Sequence, residues 1–82
     1  MQVSTSEVLA VLAEVLEESA DSLTSDRKLD SIDAWDSVGV LTLMAELDDK
    51  YGLTLTTDEI QNFSTIKDVL TVLRDKGLNL TD

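Results

Sequence analysis

Ser37 stands in the run Trp35-Asp36-Ser37-Val38, directly ahead of the amphipathic stretch from Val40 to Tyr51. A serine hydroxyl acts as a nucleophile of its own only when a base takes its proton. The chain contains no histidine and no cysteine, so a catalytic triad is excluded by composition. The nucleophile-elbow pattern Gly-x-Ser-x-Gly is missing as well. A serine at a helix start nevertheless suits the attachment of a phosphoryl-linked group by an outside enzyme, because first-turn amides and the helix dipole favour an anion there. Either Asp36 or Ser37 can also act simply as the cap of that helix.

Other chemistries find less support. Without cysteine or histidine there are no disulfides, no thiol nucleophiles, no imidazole base and none of the usual zinc ligands. The aspartates between Asp26 and Asp36 lack the central glycine and terminal glutamate of a calcium loop, so no metal site is expected. An enzyme working through two carboxylates is also poorly supported, since a core this thin offers few places to raise a carboxyl pKa.

The elements that must position Ser37 follow from hydrophobic spacing. Val8, Leu9, Val11, Leu12, Val15 and Leu16 recur at helical period behind the cap candidates Ser4, Thr5 and Ser6, which predicts a helix from about Ser6 to Ser19. Residues 20–36 carry isolated Leu23, Leu29, Ile32 and Trp35, too sparse for a helix face, and read as a long loop pinned at those four points. A second helix starts at Asp36 or Ser37 and ends near Gly52, with Val40, Leu43, Met44, Leu47 and Tyr51 on one stripe. Thr57-Asp58-Glu59-Ile60 predicts a short third helix. A fourth begins at Ser64 or Thr65, with Asp68 placed for a capping box, and runs to Gly77. The fold class is therefore all-α: a four-helix bundle of three main helices and one short third helix, with a long loop between helices one and two.

The 82 residues make one domain, 1–82, undivided by proline or a glycine linker. Seventeen acids against six bases give a net charge of -11, which argues against nucleic acid and for partners with basic surfaces. Glu7 and Glu14 interrupt the first apolar run and no basic segment precedes it, so neither membrane insertion nor a signal peptide is expected, and the protein reads as cytoplasmic and monomeric.

Trp35-Asp36-Ser37-Val38, followed by the helix through Glu46-Leu47-Asp48-Asp49-Lys50-Tyr51-Gly52, resembles the acyl carrier protein family. The resemblance covers the chain from the first helix to Gly77. It implies that Ser37 carries covalent phosphopantetheine, attached from coenzyme A by a phosphopantetheinyl transferase, and that substrates ride on the terminal thiol as thioesters. The protein would then catalyse nothing. It would present intermediates to a loading ligase for acyl or aminoacyl groups and to downstream transferases or synthases of a lipid, polyketide or related pathway, with aminoacyl, D-alanyl or peptidyl cargo as alternatives. Asp36 would help the transferase dock, and Val38, Leu41, Asp48 and Asp49 would meet partners. Gly39 and Thr42 stand where carriers of general fatty-acid synthesis usually have acids on the recognition face, which implies a dedicated pathway. The competing reading is a small acidic helical interaction module with no covalent cofactor, in which Ser37 is only a cap and Asp48 and Asp49 only a solvated face.

Overall fold

The computed structural model describes residues 2–81. Four helices occur in chain order: α1 (Thr5–Leu16), α2 (Ser37–Tyr51), α3 (Thr57–Gln61) and α4 (Ile66–Asp75). The expected bundle of three main helices and one short one is the fold observed.

α1 begins at Ser4, whose hydroxyl accepts the Glu7 amide at 3.1 Å. It ends at Leu16, earlier than the apolar spacing predicts, because Glu17 takes a left-handed backbone at φ 57° and lets the Glu18 amide return to the Ala13 carbonyl at 3.0 Å. Left-handed backbone crowds the β-carbon of any residue but glycine, so side-chain periodicity gives no warning of this stop. α2 ends conventionally. Gly52 adopts φ 67° and its amide returns to the Asp48 carbonyl at 2.9 Å, a conformation glycine enters without steric cost.

α3 has a complete capping box: the Thr56 hydroxyl accepts the Glu59 amide and the Glu59 carboxylate accepts the Thr56 amide. α4 has the box anticipated at Thr65 and Asp68, whose carboxylate accepts the Ser64 and Thr65 amides at 2.8 and 3.0 Å. The Thr56, Ser64 and Thr65 amides at the mouths of these helices have no intrahelical acceptor, and the carboxylates supply one.

One core is shared by α1, α2, α4 and the long loop. Leu12 and Leu16 of α1, Leu43 and Leu47 of α2, and Ile66, Val69 and Leu73 of α4 are buried together with Leu23, Leu29 and Ile32 of the loop. Three of the four expected loop anchors are therefore fully inside, while the fourth, Trp35, packs partly buried against the core. The loop holds more structure than the sparse apolar pattern suggests, with 3-10 turns at Ala20–Ser22 and Leu29–Ser31. Backbone bonds tie it to the α3–α4 connection: Leu29 to the Ser64 carbonyl, and Ile66 and Lys67 to the Arg27 and Ser25 carbonyls. Arg27 fastens the other side, donating to Glu18 Oε1 at 3.1 Å, to Ser31 Oγ at 2.8 Å and to the Ser22 carbonyl at 3.2 Å.

A two-residue parallel pair, β1 (Gln2–Val3) with β2 (Asn79–Leu80), brings residues near the two ends of the chain together. Two-residue strands carry no readable alternation, so the pair is invisible to hydrophobic pattern. No helix among the described residues is long and apolar enough to cross a membrane.

Candidate functional site

Ser37 is the first residue of α2, and Asp36 is its cap. Of the two cap candidates the structure uses the aspartate: Asp36 Oδ1 accepts the Gly39 amide at 2.8 Å, and the Asp36 carbonyl accepts the Val40 amide at 2.9 Å. Among the described residues no hydrogen bond engages the Ser37 hydroxyl, which is exposed. The amides of Ser37 and Val38 belong to the helix turn that lacks intrahelical acceptors. An exposed hydroxyl beside such amides fits a phosphodiester, whose anionic oxygens would be met by N–H groups and the positive helix end.

The approach to Ser37 is set from the loop. The Trp35 amide donates to the Ile32 carbonyl at 3.0 Å and the Asp36 amide to the Ala34 carbonyl at 2.9 Å, so the chain enters α2 through a tight turn hung from buried Ile32. The Trp35 ring lies 6.5 Å from that of Phe63, tilted by 43°, a separation at which aromatic pairs still attract. This pair links the turn before Ser37 to the chain leaving α3.

An apolar groove of about 240 Å³ opens at Ser37 between α2 and α3, lined by Ser37, Val40, Leu41, Met44, Thr57 and Ile60. Val40 and Met44, expected in the core stripe, are partly buried and form one wall. The involvement of Ile60 depends on how α3 folds back, which spacing does not reveal.

Among the described residues Val38 and Leu41 are the most exposed large apolar side chains, at 73% and 65%. With Ala45, Asp48 and Asp49, also exposed, they make the solvent face of α2. At 1.5 Å per residue Asp48 lies about 17 Å along the helix from Ser37, and at 100° per residue it returns to nearly the same side. The structure thus places Asp48 on Ser37's side at the far end of the helix, with Asp49 about 100° further round. Gly39 is different. It is buried, facing Ala34, so the position read as an uncharged spot on the recognition face is covered by the loop. Thr42 is exposed, its hydroxyl turned back onto the Val38 carbonyl at 2.9 Å.

An exposed hydroxyl at a capped helix start thus lies beside an open apolar groove on a bundle with one shared core. A family model described as the phosphopantetheine attachment site matches residues 6–73. An acyl carrier protein from Beutenbergia cavernae is 33% identical over 78 residues, covering 89% of this chain and 94% of its own. One from Myxococcus xanthus is 29% identical over 72 residues, covering 82% and 90%. In fold, the chain is similar to a solved structure described as an acyl carrier protein from Mycobacterium tuberculosis, with a TM-score of 0.70 at 24% identity over 85% of this chain and 95% of that one. The chain belongs to the acyl carrier protein family, with covalently attached phosphopantetheine as its cofactor and a carrier role without catalysis.

Proposed function

We propose that Ser37 is the attachment residue and that the chain, as one carrier domain over residues 1–82, presents acyl intermediates to the enzymes of a dedicated pathway. The observation that carries this reading is the exposed, unengaged Ser37 hydroxyl at the start of α2, with Asp36 already serving as the cap. In the modification, the Ser37 oxygen attacks the pantetheine-bearing phosphorus of coenzyme A. The Oγ–P bond forms as the pyrophosphate P–O bond breaks, adenosine bisphosphate leaves, and the hydroxyl proton passes to a base of the phosphopantetheinyl transferase. Once attached, the group supplies a thiol on a flexible arm, which explains how a chain without cysteine can hold an acyl cargo.

The chain's own residues then do three things. The free first-turn amides meet the phosphodiester. The groove of Val40, Leu41, Met44 and Ile60 offers apolar surface to the arm and cargo. The solvent face of α2 meets partners, with Val38 and Leu41 giving apolar contact near the arm and Asp48 and Asp49 a screened charge contact farther off, suited to encounter rate and partner choice. Asp36 keeps one carboxylate oxygen beyond its cap bond for a docking transferase. A dedicated pathway is supported by the solvent face of α2 near Ser37, where exposed Thr42 offers no acid.

Loading from coenzyme A followed by fragmentation of the modified peptide tests the assignment. The added group should localise to Ser37; localisation to Ser31, Ser25 or any other hydroxyl would overturn it.

A further inference from the structure

Gly39 sits at the third position of α2, where its Cα closes against the carbonyl of Ala34. A β-carbon built there would overlap the Ala34 carbonyl oxygen and lie 3.0 Å from the carbonyl carbon. That carbonyl is fixed. It accepts the Asp36 amide at 2.9 Å, while the Asp36 carboxylate accepts the Gly39 amide at 2.8 Å. Ala34, Asp36 and Gly39 therefore form a closed clasp: one residue binds through its carbonyl, one through both amide and carboxylate, and one through its amide and its lack of a side chain. Ser37 lies inside the clasp, bonded directly to Asp36. Its hydroxyl has no hydrogen bond of its own among the described residues, so its place is set by the backbone of this turn alone.

A glycine in the first turn of an exposed helix is costly relative to alanine, by roughly 1 kcal/mol, so its presence calls for a compensating contact. The Ala34 carbonyl is that contact, and no larger residue is compatible with it. A side chain at 39 must push the carbonyl away, which breaks the Asp36 amide bond or the Asp36–Gly39 cap. In either case the backbone carrying Ser37 moves.

We infer that Gly39 is a positioning residue for the modification of Ser37: by letting the Ala34 carbonyl seat on α2 it fixes the backbone from which the hydroxyl reaches phosphorus. The inference rests on the reading of Ser37 as the attachment residue.

The test is steady-state phosphopantetheine transfer from coenzyme A by a broad-specificity transferase, with the full chain as acceptor. Wild type, Ser37→Ala, Gly39→Ala and Val69→Ala are compared, each below its melting midpoint. Val69 is buried in α4, which contributes none of the three clasp residues, so Val69→Ala lowers stability while leaving Ala34, Asp36 and Gly39 unchanged. Gly39→Ala should lose on the order of tenfold or more in kcat with KM within about threefold, while Val69→Ala keeps wild-type kcat. Wild-type kcat in Gly39→Ala, or equal losses in both variants, would overturn the inference. If Gly39→Ala does not fold, Ala34→Gly combined with Gly39→Ala replaces it, since a glycine at 34 lets the carbonyl turn aside. This double variant should fold yet keep the depressed kcat, and recovery to the wild-type value would contradict positioning. A wild-type protein that takes no phosphopantetheine would instead overturn the Ser37 reading itself, and this inference with it.

Discussion

The Asp36 carboxylate accepts the Gly39 amide at 2.8 Å, which makes the aspartate ahead of Ser37 a structural cap before it is anything else. Replacing a capping aspartate by alanine costs about 1 kcal/mol, and serine at the same position largely restores the cap. Asp36→Ala should therefore melt earlier than wild type, whereas Asp36→Ser should melt close to it. If Asp36 also guides the transferase, Asp36→Ser will still be modified more slowly at wild-type stability. Equal modification rates would confine Asp36 to its capping role.

The left-handed backbone at Glu17 gives a second prediction. At φ 57° a residue with a β-carbon is strained and glycine is not, so Glu17→Gly should stabilise the fold by about 1 kcal/mol. Urea denaturation at equilibrium measures it. A loss of stability would show that the Glu17 side chain contributes more than its backbone costs.

A third concerns pH. The Thr65 amide and then the Ser64 amide hold the Asp68 carboxyl below its ordinary value, as the Thr56 amide and then Lys76 do for Glu59, whose carboxylate lies 3.0 Å from the lysine. A carboxyl with a depressed folded pKa contributes stability above its unfolded value and loses it as pH falls through the folded one. The melting difference between wild type and Asp68→Asn should thus be full at neutral pH and shrink below roughly pH 4. A difference constant down to strong acid would contradict the capping role of the charge.

The bundle itself was legible because its helices carry long apolar periods and side-chain caps, such as Thr65 with Asp68, that can be read one residue at a time. What stayed hidden depends on backbone conformation or on partners distant in sequence. The early stop of α1 lies in Glu17's φ angle, the β1–β2 pair joins segments too short to alternate, and the anchorage of the loop lies in Arg27 and in carbonyls paired across some forty residues. At the site, Ser37, Val38 and Leu41 could be named from their neighbours. Gly39 was misread as a missing charge on an open face, because nothing local reveals that the Ala34 carbonyl covers it. A glycine inside an otherwise strong helix start was the available signal.

The solvent face of α2 yields a fourth prediction. Leu41 is 65% exposed, so Leu41→Asp should leave the helical fold nearly unchanged, as surface substitutions usually do. It should nonetheless weaken productive encounter with the transferase or a loading enzyme. Asp48→Lys with Asp49→Lys should slow the same encounter at low salt and lose that effect as salt rises. Partner kinetics indifferent to all three changes would return this face to plain solvation.

The central claim, that this carrier acts through Ser37, is tested most directly by intact mass. Incubated with coenzyme A and a phosphopantetheinyl transferase, the wild-type chain should gain one phosphopantetheine and Ser37→Ala none. A wild-type mass that never changes, or a Ser37→Ala protein that gains the group as readily, would contradict it.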